Sequence, residues 1–328
     1  MKDKDYEPLH WSQHEEQTAG YWHVKLLLII FKIFPVFVLR IIAFPVGFFY
    51  FLFSKKGRTE SQRFLGKAAA LVSTETAKKC RSPFGSLRHI ISFSLSLVEK
   101  IETWGGKFPF RALHFQDDDV GDLVQNLENG KGVFVITSHL GNIELLRGLA
   151  SYKRTGMPYK VQVTAVVDVK MSKHFTRMLR ELNSRSTLDI ISVHDIGAHT
   201  ALLLEEKLAA GEMVTIAGDR TSVGGTEKNI LIPFFGDDAP FSPGAFYMAL
   251  LMQVPVYFIF ALRRKDLSLR PEYDMHVCKC SVSSDCGRKE RVLRSAELAR
   301  SYAAVLECYC KEKPFQWYNF YDFWSKEV

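Results

Sequence analysis

The residues best suited to chemistry are Ser138-His139-Leu140-Gly141-Asn142-Ile143-Glu144. The run Val133-Phe134-Val135-Ile136-Thr137 before them is short and apolar, the mark of a strand buried on both faces. His139 therefore falls where a strand ends, and Glu144 in the first turn of the helix that follows. A histidine that works as a general base must be held in one tautomer by an acceptor on its other nitrogen, and a carboxylate across a tight turn can supply it. Gly141 permits such a turn. The same residues also fit a plain strand-to-helix turn, with Asn142 as cap, Glu144 complementing the helix dipole and His139 a satisfied loop residue. Residue types alone leave both readings open.

The elements that must position this segment alternate. A helix capped at Asp119 carries Val120, Leu123, Val124 and Leu127 and is closed by Gly130. After the His139 strand and a helix from Asn142 come a strand over 161–167, a helix with Phe175, Met178, Leu179 and Leu182, and a strand over 188–193. A helix over 196–210 stopped by Gly211 leads to a strand over 213–217 that ends in Gly218-Asp219-Arg220. Ser242-Pro243 opens a further helix, and 254–261 reads as another strand. Strands alternating with helices predict an α/β fold with a mostly parallel central sheet flanked by helices, with sites at the strands' carboxyl ends.

Upstream, residues 1–20 are polar and acid-rich, which does not suit a cleaved signal. Residues 26–53 are apolar apart from Lys32 and Arg40, long enough for a membrane span. On a helix, Lys25, Lys32 and Arg40 fall within roughly 80°, a basic stripe suited to headgroups, while Pro35 and Pro45 favour two short pieces over one rod. The expected organisation is a polar segment (1–20), membrane-associated hydrophobic helices (21–56), a basic helical region without strands (57–115) and an α/β catalytic domain (116–328). Lys55, Lys56 and Arg58 mark a cytoplasmic flank. The charge balance, 43 Lys and Arg against 36 Asp and Glu, fits an anionic bilayer and an acidic partner better than nucleic acid, because the cations cluster beside the apolar segment.

His139 through Glu144 resembles the HX4(D/E) signature of the lysophospholipid acyltransferase superfamily, in particular the bacterial branch that adds secondary acyl chains to lipid A. Further matches lie in order: an early Trp11, Arg88-His89-Ile90-Ile91-Ser92-Phe93, Ala209-Ala210-Gly211-Glu212, Gly218-Asp219-Arg220, Pro233-Phe234-Phe235-Gly236, Phe241-Ser242-Pro243-Gly244, Pro255-Val256 and Gln316-Trp317-Tyr318. The resemblance implies an O-acyltransferase at the cytoplasmic face of the inner membrane. Its donor is an acyl thioester on acyl carrier protein or coenzyme A, its acceptor a lipid or glycolipid hydroxyl, and it uses neither cofactor nor metal. His139 is then the base and Glu144 its orienting carboxylate. The amides of Leu140–Asn142, with Gly141 and Asn142 in the substrate-binding turn, are candidate oxyanion donors. Arg220 grips a phosphate with Asp219 holding its fork, or the two form only a turn salt bridge. Phe234, Phe235, Phe241 and Phe246 are either an acyl groove or plain core.

Two departures bear on the acceptor. Lipid A relatives commonly carry an arginine where this chain reads Val167-Asp168, with Lys170 beyond, and their tryptophan motif runs into His-Arg-Arg where this chain has Tyr318-Asn319-Phe320-Tyr321-Asp322-Phe323. The loss argues against a bisphosphorylated disaccharide acceptor and for another envelope lipid or a polyene-type conjugate. A catalytically silent, membrane-tethered lipid binder is the rival from another class. Cys278, Cys280, Cys286, Cys308 and Cys310 lack paired zinc spacing, and His174, His194 and His199 form no metal-hydrolase motif.

Overall fold

The computed structural model describes residues 33–116, 119–146, 161–167, 188–193, 196–221 and 229–325. A helical N-terminal part comprises α1 (Val36–Phe53), α2 (Lys55–Ala68), α3 (Thr74–Arg81) and α4 (Gly85–Trp104), and α5 (Asp119–Glu128) follows. The sheet is built from β1 (Leu113–Phe115), β2 (Val133–Thr137), β3 (Val163–Val167), β4 (Leu188–Ser192), β5 (Met213–Ala217), β8 (Val256–Arg263) and β9 (Tyr273–Lys279), in the order β1-β9-β8-β2-β5-β3-β4. All neighbours are parallel except β8 and β9. The remaining elements are α6 (Ala198–Ala209), the antiparallel pair β6 (Ile230–Phe234) and β7 (Asp237–Phe241), α7 (Pro243–Leu251) and α8 (Arg291–Glu312).

This is the mostly parallel α/β sheet that the alternation implies, with helices on both faces. One face packs with α2, α6, α7 and α8, and the other with α5 and the start of the helix after His139. β2 is buried at every position, as its unbroken apolar sequence requires. Ser242 accepts from the Gly244 amide and Pro243 occupies the first helical position, so α7 begins where the Ser-Pro pair signals. Four strands escape the sequence pattern: β1, β6, β7 and β9. β1 also corrects the expectation of a strand-free 57–115 region: it is three residues long and sits at the sheet edge beside β9, too short to show a period.

Ile33 is helical, the chain leaves the helix at Phe34 and Pro35, and α1 starts at Val36, so Pro35 interrupts the apolar run as expected. Two other expectations are corrected. Pro45 lies inside α1, yet that helix runs unbroken for 18 residues. Arg40 is not part of a lipid-facing stripe: it is buried, its guanidinium paired with Glu102 and donating to the Leu269 carbonyl. The reason is packing. Leu39, Arg40, Ala43 and Gly47 form the face of α1 that meets α4, and a Cβ at Gly47 would press within 3.1 Å of the Ile91 backbone. Phe37, Ile41, Val46, Phe49 and Phe53 point outward and are exposed. Lys25 and Lys32 lie outside the described residues, as do Asp168, Lys170, His174, His194 and the helix proposed around Phe175.

Candidate active site

β2 and β5 are adjacent, with Thr137 in register with Ala217. Two residues beyond each strand the chain therefore reaches His139 and Asp219 side by side. The contact is close: His139 Nδ1 lies 2.8 Å from Asp219 Oδ1, and the His139 amide donates to Oδ2 at 2.8 Å. A third donor, Trp317 Nε1, reaches the same Oδ2 at 2.9 Å. With a carboxylate on Nδ1, the ring carries its proton there and turns the Nε2 lone pair elsewhere. Among the described residues nothing hydrogen-bonds to Nε2.

Asp219 is fully buried. Burial alone would raise its carboxyl, but the His139 ring and amide, with the neighbouring Arg220 charge, hold it below the ordinary value. The His139 side chain keeps 32% of its surface accessible, where it borders the cavity. Burial lowers its pKa, the Arg220 and Lys100 charges lower it further, and Asp219 opposes them. The pair thus rests as a neutral imidazole on an ionised carboxylate, the state a general base needs.

The carboxylate hydrogen-bonded to the His139 ring is Asp219, whereas the spacing points to Glu144. Glu144 lines the same cavity, and its amide donates to Asn142 Oδ1 at 3.2 Å, so the helix starts as the Asn142 cap implies. The turn itself is rigidly committed. Leu140 N donates to Ser138 Oγ, Gly141 N to the Gln316 carbonyl and Asn142 N to the Ala261 carbonyl. These amides are thus engaged, which removes them as oxyanion donors in this arrangement. Gly141 has φ +72°, and a Cβ there would lie 1.9 Å from the Ala261 oxygen, so only glycine fits. Gly141 and Asn142 shape the floor of the site from below and do not line its cavity.

The C-terminal segment straps this turn. Leu140 bridges Trp317 antiparallel, and Tyr318 N donates to the His139 carbonyl at 3.0 Å. Asn319 Nδ2 and Tyr321 OH both reach the Asp219 carbonyl at 3.4 Å. The Arg220 guanidinium is held by Asn319 Oδ1 and stacks over the Tyr321 ring at 4.9 Å. Among the described residues its fork is thus held by the strap, while Asp219 is engaged by His139 and Trp317, a second correction. His89 secures the strap from α4: Nε2 donates to the Trp317 carbonyl and Nδ1 accepts from Ser61, both at 3.0 Å. Burial pushes this ring down to about 4, so it is a neutral structural tether.

The cavity in front of His139 has a volume of about 550 Å³. Val166, Val167, Val193, Ile196, Ile216 and Ala245 give it apolar walls, and Lys100, Glu144 and Arg220 bring charge to it. Phe234, Phe235, Phe241 and Phe246 are not part of it. All four are buried in the main core, where Phe234 packs edge-on against Trp317 and Phe241 against Phe323. Lys100, Asn319 and Tyr321 were not distinguishable in the sequence as site residues. Lys100 is one cation in a basic helical stretch, and the other two act only once the strap meets β5.

The family model for bacterial lipid A biosynthesis acyltransferases matches residues 9–326. The chain belongs to this family. A comparison with curated proteins returns no match. Membership in the lipid A acyltransferase family indicates acyl transfer to a lipid. The family match spans the α1 helix, the β2–β5 edge and the strap alike.

Proposed function

We propose that this protein is an O-acyltransferase that moves an acyl group from a thioester, on acyl carrier protein or coenzyme A, to a hydroxyl of a membrane lipid or glycolipid. The observation that carries this reading is the His139–Asp219 pair beside a largely apolar cavity. His139 Nε2 takes the proton of the acceptor hydroxyl as its oxygen attacks the thioester carbonyl. Asp219 holds the ring and stabilises the imidazolium that forms. Collapse of the tetrahedral intermediate breaks the C–S bond, the imidazolium returns its proton to the departing thiolate, and an ester and a free thiol result. A thioester is already activated, so a base and charge stabilisation suffice.

The acyl chain lies along the valine and isoleucine walls. Arg220, preset by Asn319 and Tyr321, is suited to a phosphate of the donor's pantetheine arm, where a planar fork outperforms a point charge. Glu144, on the same wall, assists the acceptor hydroxyl or the imidazolium. The outward face of α1, with Phe37, Ile41 and Phe49 exposed, rests in the bilayer at the cytoplasmic side of the inner membrane.

The test is turnover of radiolabelled acyl carrier thioester with membrane lipid extract, read as free thiol and labelled lipid. His139→Ala should lower turnover at least ~10²-fold, the scale of a lost general base, with an unchanged melting curve. A folded His139→Ala protein of comparable activity removes His139 from the mechanism. Wild-type protein that releases no thiol identifies a lipid binder instead.

A further inference from the structure

A single helix separates the apolar face of α1 from His139. On α4, Ser94 and Ile91 meet Gly47, and Glu102 meets Arg40, so this side of α4 is the seat of α1. Lys100 is two residues before Glu102, roughly 200° around the helix axis, and faces the other way. It lines the catalytic cavity there, with Arg220. Packed helices stand about 8–10 Å apart, so Lys100 stands one helix away from the apolar face of α1.

We propose that Lys100 binds a phosphate group on the headgroup of the lipid acceptor and so places the acceptor hydroxyl at His139. This rests on the acyl-transfer reading above and adds the residue that positions the acceptor, Lys100, for a lipid with one anionic group near the hydroxyl that is acylated. The described cavity residues include two cations, Lys100 and Arg220, against one carboxylate, Glu144, an environment that favours an anion. The two cations divide the substrates between them. Arg220 stands at the end of β5, braced by the strap, and Lys100 on the helix that carries the membrane face. Anion binding also prepares the base. The charges of Arg220 and Lys100 both disfavour the His139 imidazolium, and a bound phosphate offsets them, so the ring becomes more basic when the acceptor is present.

Equilibrium binding tests this without turnover. Full-length protein in neutral-detergent micelles is titrated with radiolabelled lysophosphatidate and with the monoacylglycerol of the same chain, which differ by the phosphate alone. Wild type should favour lysophosphatidate by about 10-fold or more, the range of one charge-assisted contact. Lys100→Met should bring the two lipids to within about 2-fold, Lys100→Arg should retain most of the preference, and Lys79→Met, on exposed α3 surface, should change nothing. Melting curves establish that the variants are folded, with Lys100→Gln as the alternative if methionine is not tolerated. The proposal is overturned if wild type shows no preference for the phosphate, or if folded Lys100→Met or Lys100→Gln keeps it. A third arm adds soluble pantetheine 4′-phosphate. If it displaces lysophosphatidate from wild type but not from Lys100→Met, Lys100 holds the donor's phosphate and the acceptor assignment falls. Protein that binds lysophosphatidate through Lys100 yet transfers no acyl group refutes the enzyme reading alone, and protein that transfers acyl groups with no use for Lys100 refutes this inference alone.

Discussion

Replacing Asp219 by asparagine preserves the shape of the side chain and removes its charge, and the structure dictates how the amide must lie. Among the described residues Oδ2 accepts from two donors, the His139 amide and Trp317 Nε1, whereas Oδ1 meets only His139 Nδ1. The asparagine oxygen therefore takes the Oδ2 place, because an NH2 there would face two buried N–H groups, at about 1–3 kcal/mol for each group left unsatisfied. The NH2 then points at Nδ1 and forces the ring to accept, which moves the ring proton to Nε2. A histidine with Nε2 protonated cannot take a proton from the acceptor. The wrong tautomer in a serine-protease triad costs about 10⁴-fold in kcat, so Asp219→Asn should cost roughly 10²–10⁴-fold here, mostly in kcat and without rescue at high pH. The assay is thiol release from acyl carrier thioester at saturating acceptor, with a melting curve for each protein. Glu144→Gln, which leaves the tautomer alone, should cost less. A folded Asp219→Asn enzyme within about 3-fold of wild type would refute the argument, because the Nδ1 contact would then have no hold on the base.

Three further outcomes follow from particular contacts. His89 stays neutral down to about pH 4 when folded but protonates near its ordinary value of 6.5 when unfolded, so acidification from pH 6.5 to 4 should remove up to roughly 3 kcal/mol of stability. Denaturant midpoints at pH 7 and 4.5 check this, and His89→Gln should flatten the dependence; equal slopes in both proteins would exclude His89 as its source. Gly141→Ala should leave little folded protein, since the left-handed turn and the Ala261 carbonyl both reject a Cβ, and normal yield and melting would contradict that geometry. Phe37→Glu with Phe49→Glu, both on the outward face of α1, should shift the protein from membrane pellet to supernatant with its melting curve intact, whereas unchanged sedimentation would show that this face does not hold the bilayer.

Much of this was legible in sequence because it depends on local pattern. The apolar runs gave β2, β5 and β8, and the Ser-Pro pair gave the start of α7. The alternation put His139 and Gly218-Asp219-Arg220 at one sheet edge. What escaped depends on who neighbours whom. Glu144 is near His139 in sequence, but Asp219, 80 residues away, hydrogen-bonds its ring because β5 inserts beside β2. The basic stripe through Arg40 was drawn on an isolated helix, and only the docking of α1 on α4 shows that this face points inward. Whether the Phe234–Phe235 pair is groove or core stays open in the sequence, because its covering layer, Trp317 and Phe323, comes from the far end of the chain. Lys100 carried no local signal at all.

The strap has a consequence for the order of events during synthesis. His139 and Asp219 leave the ribosome well before Trp317, which follows Asp219 by 98 residues. At about 5–20 residues per second that interval is roughly 5–20 s. Throughout it the nascent chain carries both members of the dyad but lacks the Trp317 donor, the Leu140 bridge and the Asn319 brace on Arg220. Helix α1 has emerged long before and is free to reach the bilayer. The site is thus completed last, when α1 is already clear of the ribosome, and under the proposed function a half-made chain has no ordered site with which to squander thioester on water.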